Sequence, residues 1–150
     1  MYKQILIPID GSELSLAAVD QGLAFAKSIG ASVTFFTVTT PIHVYGISGE
    51  LLAGGCDEYA KAARDEAVRR LAIAEERANA AGVACQASMA ESEHPWRAII
   101  DAANDTGSDL IAMASHGRRG FSGMVLGSET LKVLTHSTIP VLVYRQPKGG

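Results

Sequence analysis

The residues best suited to chemistry lie in one glycine-rich stretch, SHGRRGFSGMVLGSE, at positions 115–129. Its four glycines let backbone N–H groups approach phosphate oxygens, because no Cβ stands in the way. Arg118 and Arg119 add charge-assisted donors, and Ser128 adds a hydroxyl donor. Gly127 and Ser128 also open a helix-like segment, and the amides and positive dipole end of a helix start attract anions. The pattern fits a phosphate-binding loop.

A flexible connection rich in glycine is the alternative interpretation of this stretch. A P-loop has the pattern GxxxxGK[ST], and the stretch contains no Gly-Lys pair. A dinucleotide fingerprint has GxGxxG, which does not match the spacing of these glycines. The residues alone leave the two interpretations equally open.

Other polar residues offer less specific chemistry. The chain has histidines without the HxxxH-type pairing of metal sites: His43, His94, His116 and His136. His116 suits a general base, a phosphate ligand or a donor that orients the loop. Asp10 suits a metal ligand, a partner for a ribose hydroxyl, or a cap for the helix that begins beside Ser12. The chain contains no GxSxG pattern, the sequence signature of a nucleophile elbow. Trp96 is interpreted as a packing residue.

Short apolar runs alternate with longer helical patterns along the chain. Strands are predicted at residues 3–9, 31–38, 83–89, 109–114 and 139–144. Helices are predicted at residues 12–29, 57–81, 94–106 and 127–137. Ser12 suits an N-cap, Gly30 suits a helix end, and Pro95 suits a first helical turn. This alternation is typical of an α/β fold, with a parallel sheet whose strands are covered by helices on both faces.

The apolar pattern predicts which faces of the first two helices are buried, whereas the connection between residues 39 and 56 shows no such pattern. The first helix is expected to bury Leu14, Ala17, Ala18, Phe25, Ala26 and Ile29. In the second helix, small residues recur at spacings of three and four: Ala60, Ala63, Ala67, Leu71, Ala74, Ala78 and Ala81. Residues 39–56 form a long connection without a strong period, which we expect to be a surface excursion with room for one short helix.

Size and charge limit the possible functions. The 150 residues predict a single domain over 1–150. The net charge of −3 and the pI of about 5.8 argue against general binding of nucleic acid or acidic membranes. No run approaches the ~20 apolar residues that span a bilayer, and the N-terminus lacks a signal-peptide pattern. Cys56 and Cys85 form no CxxC, so they are interpreted as reduced thiols of a cytoplasmic protein.

Three predicted strand ends carry residues suited to a ligand site. In a doubly wound sheet, ligands bind beyond the carboxyl ends of the strands, where the strand order reverses. The first strand runs into Pro8-Ile9-Asp10-Gly11-Ser12, the second into Val38-Thr39, and the fourth into Ala114-Ser115-His116-Gly117. We expect these ends to share one edge of the sheet.

Over about residues 2–145 the chain resembles the universal stress protein family of the UspA type. The resemblance rests on ILIPIDGSE at the first strand end, HGRRGFSGMVLGSET, and the closing IPVLVYR, in that order. The family's nucleotide-binding branch has the pattern GxxGx9G[ST], which here places its second glycine at Gly117 and its last pair at Gly127-Ser128. Ala114 replaces the first glycine of the pattern, a change that is tolerated at a strand end with negative φ.

The resemblance implies a five-stranded parallel sheet in the order 3-2-1-4-5, a Rossmann-like fold of the adenine nucleotide alpha hydrolase type. It implies ATP, or ADP or AMP, as the ligand, with a divalent ion (Mg²⁺ or Mn²⁺) beside a triphosphate. The implied contacts are Val38 for the adenine; Pro8, Ile9 and Asp10 for the adenosine; Met113, Ala114, His116 and Gly117 for ribose and phosphates; and Gly127, Ser128 and the Glu129 amide for phosphate oxygens. Arg118 and Arg119 are expected to fold over the phosphates. A β-branched residue at Gly127 is expected to abolish binding and leave the fold intact.

The last strand is expected to form a homodimer, as the last strands of family members commonly do. IPVLVY is an apolar edge strand without an inward charge to block pairing. Pro140 stands at its start, where an edge strand tolerates a missing donor. The expected interface residues are Val141, Leu142, Val143 and Tyr144.

The sequence is compatible with three functions. The first is a nucleotide-binding regulator of a stress response with at most slow ATP hydrolysis and no catalytic residue, because no water-activating base is evident. The second is a dimeric interaction module that binds no nucleotide, but such members generally lack the glycine motif. The third is an ATP-using adenylyl or pyrophosphatase enzyme, and these carry SGGxDS where this chain has IDGSE.

Overall fold

The computed structural model of the protein describes residues 1–41, 49–116 and 126–145, with the backbone alone described for 49–57. Five strands form one parallel sheet: β1 (Gln4–Pro8), β2 (Ser32–Thr39), β3 (Cys85–Glu91), β4 (Leu110–Ala114) and β5 (Val141–Tyr144). Their order is β3-β2-β1-β4-β5, which confirms the order that the resemblance implied. The most central strand, β1, therefore lies between β2 and β4.

Helices cover both faces of the sheet, as predicted from the alternation of patterns. They are α1 (Glu13–Ile29), α2 (Gly49–Ala81), α3 (Pro95–Asp105) and α4 (Ser128–His136). Val19 and Leu23 of α1 and Leu71 of α2 pack with Ile5 and Ile7 on one face. A second set of core residues packs on the opposite face, from α3, α4 and the sheet: Leu6, Phe36, Ile99, Ala103, Ile111, Met113 and Val133. Alternate residues of β1 thus reach two separate cores.

The ends of α1 follow local chemistry and confirm the predicted caps. The Ser12 hydroxyl accepts a hydrogen bond from the Ser15 backbone N–H at 3.1 Å, which satisfies an otherwise unpaired amide of the first turn. Gly30 ends the helix in the left-handed region at φ 72°, where a side chain would be strained.

The buried face of α1 agrees with the predicted one only in part. It buries Ser15, Ala18, Val19, Gly22, Leu23 and Ala26, so the predictions for Ala18 and Ala26 are confirmed. Phe25 and Ile29 are half-buried and pack against the same core, and Leu14 and Ala17 are half-buried. The reason lies at Gly22, where a Cβ would stand 2.6 Å from Cδ1 of Ile7. The helix turns this glycine toward β1, which brings the two backbones close together.

The second helix begins earlier than the sequence pattern indicates. α2 starts at Gly49 and not near residue 57, so the second half of the expected excursion 39–56 is helical. Glu50, Leu51 and Leu52 are good helix formers, but Gly54 and Gly55 each cost about 1 kcal/mol relative to alanine and hide the pattern. The predicted alanine-rich face is confirmed, with Ala67, Leu71, Ala74 and Ala78 buried.

The third strand departs from the expectation that strands are covered on both faces. β3 begins at Cys85 and not at residue 83, and Gln86, Ala87 and Ser88 are exposed. Its position at the edge of the sheet explains this exposure, because only β2 pairs with it.

A carboxylate joins the amino ends of β1 and β4. Asp109 accepts backbone hydrogen bonds from Lys3, at 2.9 and 3.2 Å, and from Gln4, at 3.1 Å. Burial acts to raise the pKa of Asp109, but the bonds from Lys3 and Gln4, a backbone bond of its own, and the positive N-terminus outweigh it. The pKa of this carboxyl is therefore held below its usual range.

We expect Asp109→Asn to lower the free energy of unfolding at neutral pH by about 1 kcal/mol, because charge-assisted bonds become neutral ones that are partly open to solvent. A carboxylate with a lowered pKa stabilises the fold above its unfolded pKa of about 3.9, and this contribution disappears as the pH falls through the folded pKa. The difference between wild type and variant should therefore shrink in acid. Urea denaturation across pH measures it, with Asp65→Asn on the exposed side of α2 as the control; a difference independent of pH would contradict the assignment.

Candidate functional site

The carboxyl ends of β1, β2 and β4, where the candidate ligand-binding residues are expected, belong to neighbouring parallel strands and lie at one edge of the sheet. The chain runs outward from β1 to β2 and β3, then returns to the other side of β1 with β4 and β5. The strand order therefore reverses between β1 and β4, where doubly wound sheets bind ligands.

The start of α4 is packed directly onto the end of β4. The Gly127 N–H donates to the Ser115 carbonyl at 2.7 Å. A Cβ at Gly127 would lie 2.9 Å from both Cα and Cβ of His116, which is closer than real Cβ contacts come. The hydroxyl of Thr130, which is 2% exposed, donates to the Ala114 carbonyl at 3.0 Å. These contacts place half-buried His116 next to the first turn of α4.

The first turn of α4 offers backbone donors to this edge. Gly127 is the N-cap, at φ −70° and ψ 159°, and the Leu131 N–H makes the first backbone bond of the helix, to the Gly127 carbonyl at 3.0 Å. Amides of the first turn have no partner within their own helix. Ser128 is exposed at this end and adds a hydroxyl, so this turn combines donors with the positive end of a helix dipole.

The Glu129 side chain points away from this role and toward α3. Its Oε2 accepts from the Trp96 backbone N–H at 2.9 Å, which caps α3 from a different helix. This leaves the Glu129 amide, and not its carboxylate, as the group that fits the predicted phosphate role. Trp96 is half-buried against the second core, and the centroid of its ring lies 4.5 Å from that of the His136 ring. These contacts confirm its interpretation as a packing residue.

The turn after β1 holds Asp10 in a network of short-range bonds. Asp10 Oδ1 accepts from the Ser12 N–H at 2.9 Å, and the Asp10 N–H donates to the Ser15 hydroxyl at 3.1 Å. Asp10 thus has the capping role that was one of its predicted roles. Its half-buried side chain also lies at the edge of the sheet, so it remains a candidate for ligand binding.

The end of β2 is joined to the same turn. The Ile9 N–H donates to the Phe36 carbonyl at 2.8 Å, and the Thr37 hydroxyl donates to the Ile9 carbonyl at 2.8 Å. Because Pro8 pairs with Phe36 in register, half-buried Val38 lies about level with Asp10.

The described candidate residues lie at or next to the carboxyl ends of β1, β2 and β4 and at the start of α4: Pro8, Ile9, Asp10, Val38, Met113, Ala114, His116, Gly127, Ser128 and Glu129. The side chains of Ile9 and Met113 are buried in the two cores, on opposite faces of the sheet. Gly117, Arg118 and Arg119 lie outside the described residues. Sequence reasoning missed the hydroxyls that hold the edge together, those of Ser15, Thr37 and Thr130. The signal for Ser15 was its spacing of three from Ser12, whereas Thr37 and Thr130 act across the sheet and carry no local signal.

Two negative findings apply to the described part of the chain. No group of three or more His, Cys, Asp and Glu residues there has the arrangement of a metal site. None of its helices combines the length and apolar character needed to cross a membrane.

Three comparisons with known proteins bear on this site. The model of the universal stress protein family matches residues 1–145. Universal stress protein YxiE of Bacillus subtilis is 31% identical over 149 residues, covering 97% of this chain and all of that protein. The solved structure of MJ0577, a universal stress protein of Methanocaldococcus jannaschii, is 26% identical with a TM-score of 0.84 and 99% of each chain covered. A universal stress protein solved in complex with cAMP is 25% identical with a TM-score of 0.66, covering 95% of this chain and 97% of that one.

The packing at Gly127 changes the expectation that a larger residue there would leave the fold intact. We expect even Gly127→Ala to lower the free energy of unfolding by about 1–3 kcal/mol, because the new Cβ must displace the His116 backbone. Chemical denaturation measures the loss. Ser128→Ala is the matched control, since Ser128 is exposed, and equal stability of the two variants would show that the approach to His116 is not constrained.

Proposed function

We propose that this chain, which belongs to the universal stress protein family, binds an adenine nucleotide at the edge formed by β1, β4 and the start of α4. The observation that carries the proposal is the contact of Gly127 with Ser115 and His116, which brings a helix N-terminus onto the end of β4. Its amides and dipole suit phosphate oxygens. The related universal stress protein solved with cAMP supports an adenine nucleotide as the ligand class.

In this proposal ATP is the ligand, with ADP and AMP as weaker alternatives that present fewer phosphates. The adenine lies against Val38, and Pro8, Ile9 and Asp10 border the adenosine. Met113, Ala114, His116 and Gly117 follow the ribose and phosphates, and Arg118 and Arg119 cover them. Gly127, Ser128 and the Glu129 amide bind phosphate oxygens.

A divalent ion, Mg²⁺ or Mn²⁺, fits this site only as a companion of the triphosphate. The described residues offer no cluster of carboxylate, imidazole or thiolate ligands that would hold such an ion without the nucleotide. Mg²⁺ commonly binds through substrate phosphates, water and one or two protein oxygens. The protein oxygens proposed to contact the ion are the Ser128 hydroxyl and the Asp10 carboxylate, and the ion would neutralise phosphate charge beside them.

The proposed role is regulatory, in a cytoplasmic stress response. Among the described candidate residues of the edge, the groups of the type that activates water are those of His116, Asp10 and Glu129. Asp10 is engaged in capping α1, and the Glu129 carboxylate caps α3. Hydrolysis, if measured, should be far below about 1 s⁻¹, the low end of common enzyme rates.

Calorimetric titration with ATP, ADP, AMP and cAMP, with and without Mg²⁺, tests the proposal. We expect saturable binding of ATP by the wild type and a loss of about threefold to tenfold in affinity for Ser128→Ala, because one hydroxyl donor to a charged phosphate is removed. AMP should be less sensitive to this substitution than ATP.

Thr135→Ala is the matched control for Ser128→Ala, since its hydroxyl donates to the Leu131 carbonyl at the other end of α4. Absence of heat with every nucleotide at millimolar concentration would refute nucleotide binding and favour the alternative, a dimeric interaction module. Equal affinities of wild type and Ser128→Ala would remove Ser128 from the site.

Homodimerisation through β5 is the second part of the proposal. β5 is an edge strand, and its other side pairs with β4 through Val141 and Val143 opposite Ile111 and Met113. All of its side chains, Val141, Leu142, Val143 and Tyr144, are half-buried within one chain, so a second copy would cover the remaining apolar area.

We expect Val143→Lys to shift the protein from dimer to monomer, because a charge would be buried between paired edge strands. Sedimentation velocity at several concentrations measures the change. Val143→Thr keeps the β-branched shape and serves as the control. If Val143→Lys forms a dimer as tight as that of the wild type, the interface lies on another surface.

A further inference from the structure

We infer that Arg70 of α2 is a positioning residue for the proposed nucleotide site, because it fixes the turn after β1 that carries Asp10. The inference rests on the proposed function and adds to it a residue that lies outside the expected site. Arg70 comes from the helix on the opposite face of the sheet from α4.

The contact is between the Arg70 side chain and the backbone of Gly11. Gly11 has a φ of 84°, in the region where side chains are strained. A Cβ there would also lie 2.8 Å from Nε, 3.2 Å from Cδ and 3.5 Å from Cγ of Arg70. The stem and Nε of the arginine therefore occupy the space beside Gly11 that a side chain at this position would fill.

The burial of Arg70 sets it apart from its neighbour on the same helix. The Arg70 side chain is 16% exposed, whereas that of Arg69 is 65% exposed. Both arginines approach Glu66, but Arg69 does so through a hydrogen bond of 2.6 Å, while Arg70 Nε remains 3.7 Å from Glu66 Oε1. The latter distance is too long for a hydrogen bond.

The buried Nε of Arg70 has no hydrogen-bond partner within the described part of the chain. Nε forms an ion pair with Glu66 without a hydrogen bond, and burial of a polar group without a hydrogen bond costs free energy, so hydrogen bonding does not account for the position of Nε. Packing against Gly11 does account for it. We infer that the influence of this packing on a ligand passes through the turn, because the atoms beside Gly11 are Nε and the stem of the side chain.

The turn transmits this contact to Asp10. Gly11 lies between Asp10 and Ser12, whose N–H donates to Asp10 Oδ1 at 2.9 Å. A change in the dihedral angles of Gly11 would move Ser12 relative to Asp10 and alter the direction of the carboxylate. Arg70 restricts that change by filling the space into which Gly11 would move.

A double-mutant cycle in ATP binding tests the inference. Arg70→Gln and Asp10→Asn should each weaken ATP binding by about fivefold to tenfold, the effect of losing one well-placed hydrogen bond. The double variant should bind no more weakly than the weaker single variant, because both changes remove the same interaction. Arg70→Lys retains the stem and should lose about threefold. Arg69→Gln, the matched control, should stay within twofold of the wild type.

A purely structural role of Arg70 would not produce this coupling. Thermal unfolding of every variant identifies those that are folded at the titration temperature, and Arg70→Lys replaces Arg70→Gln in the cycle if the latter is not. Unchanged affinity of the Arg70 variants, or losses that multiply in the double variant, would overturn the inference while the wild type still binds ATP. If the wild type binds no nucleotide, the proposed function fails as well, so the two failures are distinct.

Discussion

The close approach of Gly127 to the end of β4 is the constraint on which the candidate site depends. Without a side chain at this position, the start of α4 reaches the Ser115 carbonyl and the His116 backbone. The hydrogen bond from Thr130 to Ala114 holds the same junction from within the first turn. A strand end and a helix start are thereby fixed at one place, and the donors of α4 face the edge where the strand order reverses.

The rest of the fold positions the other residues of the candidate site, at the carboxyl ends of β1 and β2. β1 is held on one side by β2 and on the other by β4, and its alternate residues fill two cores. Hydrogen bonds through Ile9 and Thr37 attach the turn after β1 to β2. The result is a sheet edge at which Asp10, Val38 and His116 are positioned by a rigid framework, as binding residues of α/β proteins commonly are.

Features set by local chemistry were predictable from the sequence, and features set by distant contacts were not. Ser12 and Gly30 follow from the needs of helix ends, and the alternation of strands and helices predicted an α/β fold. The strand order came from the family resemblance, because periodicity does not determine which strands are neighbours. The buried face of α1 depends on how closely Gly22 approaches Ile7, and the position of Arg70 depends on packing between elements far apart in sequence. No pattern of spacing encodes either contact.

The bond between the Glu129 carboxylate and the Trp96 amide joins α4 to α3 through a single acceptor. Trp96 is the only tryptophan of the chain, and its indole lies beside His136 near the far end of α4. The tryptophan fluorescence of the protein therefore originates at the seam between these two helices. Its emission is an optical readout of how α4 sits on its neighbour, available without a label.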